Sequence, residues 1–169
     1  MTIAVRPCVS ADARALYPVW LAVRHHNAGI DARVVLAPVS EPEFRAGLDE
    51  SLRRDFSAAY VAEDSGRLVG FISARIEAGQ PDRLPEQHAT IGYLYVGPGY
   101  RRKGIARQLV AAVREWAGGQ EGISHIEMPV LAADAEAAAF WRSLGFSPFI
   151  ERLWASLQDD PGDDAPARR

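Results

Sequence analysis

The feature that most constrains this fold is an apolar strand pattern that runs straight into a basic glycine loop and then an amphipathic helix. The run Thr90–Val96 is apolar on both faces, which predicts a central strand. It is followed by GPGYRRKGIA at residues 97–106, and apolar residues then recur at helical spacing from Ile105 until Gly118 and Gly119. The order of strand, loop and helix predicts a sheet with a helix packed on it.

The three cations of this loop stand where a helix N-terminus disfavours positive charge unless an anion is bound. A dinucleotide fingerprint fails because its third glycine position is Arg102, and a Walker loop fails because Ile105 and Ala106 replace Lys and Ser/Thr. The pattern Arg101-x-x-Gly104-x-Ala106 instead predicts a diphosphate held by free N–H groups. Binding of ATP or NAD phosphates stays an alternative.

The remaining periodicities predict one α/β (α+β) domain at residues 1–157, with a mixed, mostly antiparallel sheet of about six to seven strands and about four helices. Residues 158–169 form a predicted disordered acidic tail. Loops are expected at Asn27–Pro42 and Glu77–Ala89. The other predicted strands are Ile3–Val5, Ala58–Ala62, Leu68–Ile76, Ser124–Val130, Phe146–Ile150 and Arg152–Leu157, and the other helices follow Ser10–Asp12 (kinked or restarted at Pro18), span Glu41–Arg54 and span Asp134–Leu144.

Composition excludes several classes of function. The 169 residues carry a formal charge of −3, whereas nucleic-acid binders are normally basic, so no nucleic-acid partner is expected. No apolar stretch reaches the ~20 residues that span a bilayer, and Met1–Arg6 lacks a secretory signal, so we expect a cytoplasmic protein without a membrane partner. The single cysteine, Cys8, predicts a buried or bystander thiol and no internal disulfide.

Two motifs resemble those of the GNAT superfamily of acyl-CoA-dependent N-acetyltransferases. Residues 94–106 are similar to its core strand and its [QR]-x-x-G-x-[GA] pyrophosphate loop. Residues 137–146, AAAFWRSLGF, are similar to its second signature, an alanine-rich helix with an aromatic residue and a closing Gly-Phe. Two signatures in the correct order make the resemblance specific, and it covers roughly residues 3–157.

The resemblance implies a co-substrate, acetyl-CoA, and attack of a primary amine on its thioester. The diphosphate would lie on the amides of Arg102–Ala106, and the pantetheine arm along Leu94–Val96, where Ser124–Val130 splays away. An N–H near Val96 would hold the oxyanion. An acyl-CoA sensor with little turnover stays an alternative. The implied cofactor-binding residues are Leu94, Tyr95, Val96, Arg101, Arg102, Lys103, Gly104, Ile105, Ala106, Asp134 and Trp141.

The chain departs from the family where proton chemistry is expected. Trp141 stands where many members have an acid tyrosine, and it either covers the pantetheine arm or packs in the core. Asp134 replaces a frequent asparagine and also suits a helix N-cap. Thr90 stands where some relatives carry a base. The catalytic candidates are therefore Tyr95, then Tyr93, as proton donor, and His88 as base, with Glu86 and Glu77 beside it.

The amine acceptor has no readable signature, although its pocket is expected from Arg24–Pro42 and Glu77–Ala89. Asp31, Glu77, Asp82 and Glu86 would suit a cationic amine. His25 and His26 would diverge by about 100° on a helix, so no metal site is predicted. Apolar residues on the last strands hint at a homodimer.

Overall fold

The computed structural model describes residues 3–82 and 84–157. Five strands form one sheet in the order β1-β2-β3-β4-β5; the first four are antiparallel, and β5 is parallel to β4. The strands are β1 (Ile3–Pro7), β2 (Ser57–Asp64), β3 (Arg67–Ala78), β4 (Gln87–Val96) and β5 (Ile126–Glu127), and the helices are α1 (Ala13–Ile30), α2 (Glu41–Leu52), α3 (Ile105–Gly118) and α4 (Ala135–Arg142).

Each face of the sheet is covered by helices and carries its own apolar core. On one face α3 buries Leu109 and Val113 against Ile72 and Ile91, all fully enclosed. On the other face α1 and α2 pack on a second cluster around Leu16, Val61 and Phe71. The mostly antiparallel α+β architecture predicted from the sequence is confirmed.

A β-bulge in β4 decides which side chains share a face. Ser73 of β3 is paired with Tyr93 and Ala74 with Ile91, so Gly92 has no partner of its own in the register. The bulge places Ile91 on the α3 face and Tyr93 on the α1/α2 face, although the two are only two residues apart. This arrangement sends both Tyr93 and Tyr95 toward α1 and α2.

The predicted strand count was too high. Residues 146–157 form no strand, and β5 is limited to two residues where Ser124–Val130 had been expected. Both segments contain a proline, Pro129 and Pro148, and proline cannot donate a ladder hydrogen bond. The predicted acidic tail at 158–169 lies outside the described residues.

Two loop predictions were also wrong, in the same direction. Helix α1 passes through Pro18 without a restart and ends at Ile30, so it takes in the start of the expected loop at Asn27. Strands β3 and β4 extend as far as Ala78 and back to Gln87, which shortens the other expected loop to residues 79–86.

Among the described residues, no helix is long and apolar enough to cross a membrane. A cytoplasmic location stays a prediction.

Candidate active site

The basic loop between β4 and α3 has the backbone of an anion-binding turn. Gly104 is the N-cap of α3 and has a φ of +80°, and the helix begins at the next residue, Ile105. A left-handed residue followed by a helical one turns successive N–H groups toward one point. The first bond of the helix runs from the Gln108 N–H to the Gly104 carbonyl, so the N–H groups of Ile105, Ala106 and Arg107 have no partner within the helix.

Glycine is required at position 104 by its backbone angle rather than by crowding. A Cβ placed there would meet no atom within 4 Å, so a side chain would project into open space over the turn. Arg102 also has a positive φ, +63°, which is uncommon for a residue with a side chain. Two left-handed residues within three positions hold the loop in a sharply turned shape.

The predicted cations surround this turn and are exposed. Arg101 donates to the Val96 carbonyl at 3.2 Å, and Lys103 donates to the Gly99 carbonyl at 3.0 Å. Both contacts brace the loop against the end of β4 while leaving the charged groups at the surface. The loop therefore combines aimed N–H groups with positive charge, as a diphosphate requires.

The edge of β4 that leads to this loop is open. Within the described residues, β5 is paired with β4 only at Ala89–Ile126 and Thr90–Glu127. Beyond Thr90 the segment 91–96 is paired with β3 alone. Apart from the Val96 carbonyl, which accepts from Arg101, the backbone groups of this segment on the β5 side have no hydrogen bond within the described residues and can pair with an extended molecule.

Four titratable side chains lie together at the Gln87 end of β4, on the sheet face that α1 and α2 cover. His88 is opposite Glu77 of β3 in the register, and the Nε2 atom of His88 lies 3.6 Å from Oε2 of Glu127 on β5. His125 stacks on His88 with ring centroids 5.4 Å apart, and its Nε2 lies 3.3 Å from Oε1 of Glu127. Two imidazoles thus share one carboxylate.

Thr90 lies in the same polar region. Its hydroxyl is buried and makes no hydrogen bond of standard geometry, yet it lies near enough to the Glu77 carboxylate to lower the pKa of that group. Arg75 lowers the pKa of Glu77 further by donating to its carboxylate at 2.8 Å. Glu77 is therefore a paired carboxylate on a strand, whereas the sequence had placed it in a loop.

Both candidate tyrosines lie on the sheet face that α1 and α2 cover, within the strand segment 91–96 whose edge is open. The ring of Tyr93 stands edge-on to Trp20, with centroids 6.5 Å apart, and Trp20 in turn packs on Phe44 of α2 at 4.9 Å. Tyr95 is opposite Phe71 and is half-buried. Aromatic rings thus line the α1/α2 face beside the open edge of β4. The role of either phenol as proton donor stays a prediction.

The second motif forms α4, which packs into the core on the α3 face of the sheet through Trp141. Asp134 caps this helix by accepting from the Ala137 N–H at 2.8 Å, and its other oxygen lies 3.9 Å from His26 of α1. Trp141 is only 4% exposed and packs edge-on between Phe140 and Phe146. The packing supports the core alternative for Trp141; contact with a pantetheine arm stays a prediction.

Other sequence candidates are accounted for by local pairing. Asp31 accepts from Arg33, which lowers the pKa of Asp31 to about 2, so this carboxylate stays ionised and is paired with a neighbouring cation. Cys8 is buried, and burial raises the pKa of its thiol to about 12, which excludes a reactive thiolate at neutral pH. The buried-thiol prediction is confirmed.

Sequence reasoning missed His125 and Glu127. The one available signal was the alternation His125-Ile126-Glu127, which puts two polar groups on one face of a strand. Because β5 is parallel to β4 and far from it in sequence, only the register brings these side chains beside His88.

The sequence is similar to a known family and to characterised acetyltransferases. The family model described as Acetyltransferase (GNAT) family matches residues 20–146. Human N-acetyltransferase 8 is 32% identical over 104 residues, which are 60% of this chain and 44% of that protein. Aminoglycoside N(6')-acetyltransferase type 1 of Salmonella typhimurium is 26% identical over 99 residues, which are 58% of this chain and 68% of that enzyme. The chain thus aligns with less than half of the human protein.

Solved structures share the fold. Glucosamine-6-phosphate N-acetyltransferase from Arabidopsis thaliana has a TM-score of 0.69 at 17% identity, over 93% of this chain and 99% of that one. Aminoglycoside acetyltransferase AAC(6')-Iy, solved with a CoA-linked bisubstrate analog, has a TM-score of 0.72 at 19% identity, over 92% and 98% of the two chains. With the loop, the open strand edge and a family match over residues 20–146, the chain belongs to the GNAT family of acetyltransferases.

Proposed function

We propose that this protein transfers the acetyl group of acetyl-CoA to a primary amine of a small molecule, peptide or protein. The observation that carries the proposal is the open edge of β4 at residues 91–96, which ends at the anion-binding turn before α3. A molecule with a diphosphate and an extended amide arm matches this pair of features.

Acetyl-CoA would bind from the basic loop inward. Its diphosphate would accept hydrogen bonds from the N–H groups of residues 102–106, with Arg101, Arg102 and Lys103 adding positive potential. Its pantetheine amides would pair with the backbone of Leu94–Val96 as an added strand does. AAC(6')-Iy, which shares this fold, was solved in complex with a CoA-linked bisubstrate analog, and this supports CoA as the co-substrate.

The transfer step requires two proton movements. The amine nitrogen, once neutral, attacks the thioester carbon; an N–C bond forms and an N–H near Val96 holds the oxyanion. When the tetrahedral intermediate collapses, the C–S bond breaks and the thiolate takes a proton from the phenol of Tyr95 or of Tyr93. Solvent then reprotonates that phenol. The proton lost by the amine passes to His88, directly or through a water, because imidazole suits proton transfer near neutral pH.

Glu127 is the positioning residue for this base. Its carboxylate lies 3.6 Å from Nε2 of His88 and would stabilise the imidazolium that forms when His88 takes the proton. The side chain of His88 is 13% exposed, so it is enclosed on the sheet face yet reachable. The acceptor would therefore approach from the α1/α2 side, past Trp20 and Tyr93.

The test is acceptor-dependent release of free CoA thiol. The full chain is mixed with acetyl-CoA and a panel containing an aminoglycoside, glucosamine 6-phosphate, a polyamine and a lysine peptide. Thiol release that depends on one of these amines, with a mass increase of one acetyl group, supports the proposal. Tight CoA binding without release across the panel would favour the acyl-CoA sensor, and competition by ATP or NAD for the CoA site would favour a nucleotide site.

We also propose that two copies of this chain form a homodimer. The segment 146–157 leaves large apolar side chains at the surface, among them Phe149 at 73% and Leu153 at 85% exposed. Such a surface favours association with another apolar surface. A molar mass of one chain by light scattering, independent of concentration, would contradict it.

A further inference from the structure

We propose that His88, His125 and Glu127 form a binding site for a single borderline divalent cation such as Zn²⁺. One nitrogen from each imidazole and one carboxylate oxygen lie within 4.8 Å of one another. The sequence predicted no metal site, because His25 and His26 diverge on one helix and the other two histidines are far from them in sequence. The site proposed here is assembled from two strands.

The backbone already holds these three residues side by side. His125 directly precedes β5 and Glu127 ends it, and the two are two residues apart along an extended segment, so their side chains share a face. The register of β5 with β4, Ala89 to Ile126 and Thr90 to Glu127, continues with a bond from the Ala89 N–H to the His125 carbonyl at 3.2 Å. His88 therefore lies beside His125 without any rearrangement of the chain.

The donor separations fit a tetrahedral ion. Zinc bonds of about 2.0–2.1 Å at tetrahedral angles put neighbouring donor atoms about 3.3–3.4 Å apart. The two nitrogen-to-carboxylate separations at Glu127 are close to this value, 3.3 Å from His125 to Oε1 and 3.6 Å from His88 to Oε2. The two imidazole rings are stacked with centroids 5.4 Å apart, so to share one ion they and one Glu127 oxygen must turn toward a common point. Side-chain rotation can supply this because His125 is 39% exposed and Glu127 is 34% exposed.

The donor set selects the kind of ion. Two neutral imidazoles and one carboxylate suit Zn²⁺, Ni²⁺ or Cu²⁺, whereas Mg²⁺ and Ca²⁺ require mostly oxygen donors. The neighbouring Glu77 adds negative potential, but its carboxylate is bound to Arg75 and is not counted as a ligand. Three protein donors leave a fourth position for a water.

The consequence for catalysis rests on the proposed function. A metal on Nε2 of His88 leaves the ring proton on Nδ1, so neither nitrogen can accept the proton of the amine, and occupancy should inhibit acetyl transfer. Zinc would then be a reversible inhibitor that acts on the acceptor side, without displacing acetyl-CoA from the basic loop.

The experiment is calorimetric titration of ZnCl₂ into tag-free, EDTA-treated full chain, with His125→Ala as the variant and His25→Ala as the matched control on the exposed end of α1. We expect one Zn²⁺ per chain, at least tenfold weaker binding in His125→Ala and no change in His25→Ala. A Co²⁺ spectrum with the intense visible bands of a tetrahedral site should be lost in the same variant.

Equal Zn²⁺ affinity in wild type and His125→Ala, or no binding to wild type, would overturn the site. Specific binding lost in His125→Ala supports the site whatever happens to activity. Inhibition is read separately, as the fall of each protein's rate from its own zinc-free value. Specific binding without inhibition would contradict His88 as base while leaving the metal site in place.

Discussion

The two halves of β4 differ in the strands that border them, and they serve different steps of the proposed reaction: one half holds the proposed base, and the other binds acetyl-CoA. The half at Gln87–Thr90 has β3 on one side and β5 on the other, and it presents His88 among charged neighbours. In the part of the chain that the structure describes, the half at Ile91–Val96 is paired with β3 alone, and it ends at the basic loop. One strand thus supplies side-chain chemistry at its start and free backbone groups at its end.

This difference indicates which half of β4 binds the acetyl-CoA donor and which half carries out proton transfer. Backbone groups suit a ligand that repeats amides and phosphates, since N–H and C=O groups recur at every residue. Proton transfer needs a particular side chain at a particular distance. Variants in the two halves should therefore separate donor affinity from turnover.

The largest effect is expected at the basic loop. Gly104→Glu puts bulk and negative charge in the open space over the turn, so CoA affinity should fall at least about 100-fold by calorimetry. Because position 104 has a positive φ, some strain comes with any side chain. The matched control is Gly122→Glu, which has a φ of +76° and the same open surroundings away from the loop. Equal loss of CoA affinity in both variants would remove the loop from the cofactor site.

His88→Ala tests the polar half. We expect kcat to fall by about 100-fold at neutral pH while CoA affinity changes little, since general base catalysis is typically worth 10²–10⁴-fold. Glu127→Gln should lower kcat less and shift the lower limb of the pH–rate profile, because the carboxylate acts through His88. A normal rate and pH profile in His88→Ala would assign the base elsewhere and break the comparison.

A smaller effect is expected from the tyrosines. Tyr95→Phe should lower kcat by roughly tenfold with little change in CoA affinity, since it removes only the proton donor to the thiolate. Tyr93→Phe is the natural control, because it lies on the same face and packs on Trp20. A larger loss in Tyr93→Phe than in Tyr95→Phe would move the donor role to Tyr93.

The smallest effect is expected at Thr90. Thr90→Val keeps the shape of the side chain but removes the hydroxyl that lowers the pKa of Glu77, so that pKa should rise, as measured by NMR titration. A lowered carboxyl pKa stabilises the fold above the unfolded-state value and the benefit is lost as pH falls through the folded value. The variant should therefore lose less stability on acidification than wild type. An unchanged Glu77 titration would assign the shift to Arg75 alone.

The cofactor half was predictable because its signals are local in sequence. The strand, the left-handed Gly104 and the helix after it lie within one continuous stretch, and their order alone indicates an anion site. The N-cap role of Asp134 was readable for the same reason, since a capping side chain bonds an N–H three residues away. The predicted strands after Phe146 failed because apolar alternation cannot show whether an edge is available to pair with.

By itself the sequence determined the family, the mostly antiparallel α+β fold and the basic loop that opens α3. Only the tertiary structure decided which side chains surround His88. The neighbours come from β5, which pairs with β4 although α3 and its loops separate the two strands in sequence. It also decided that β5 leaves β4 after two paired residues and that Gly92 bulges. Pairing between distant strands depends on the whole packed sheet, and no local pattern of residues encodes it.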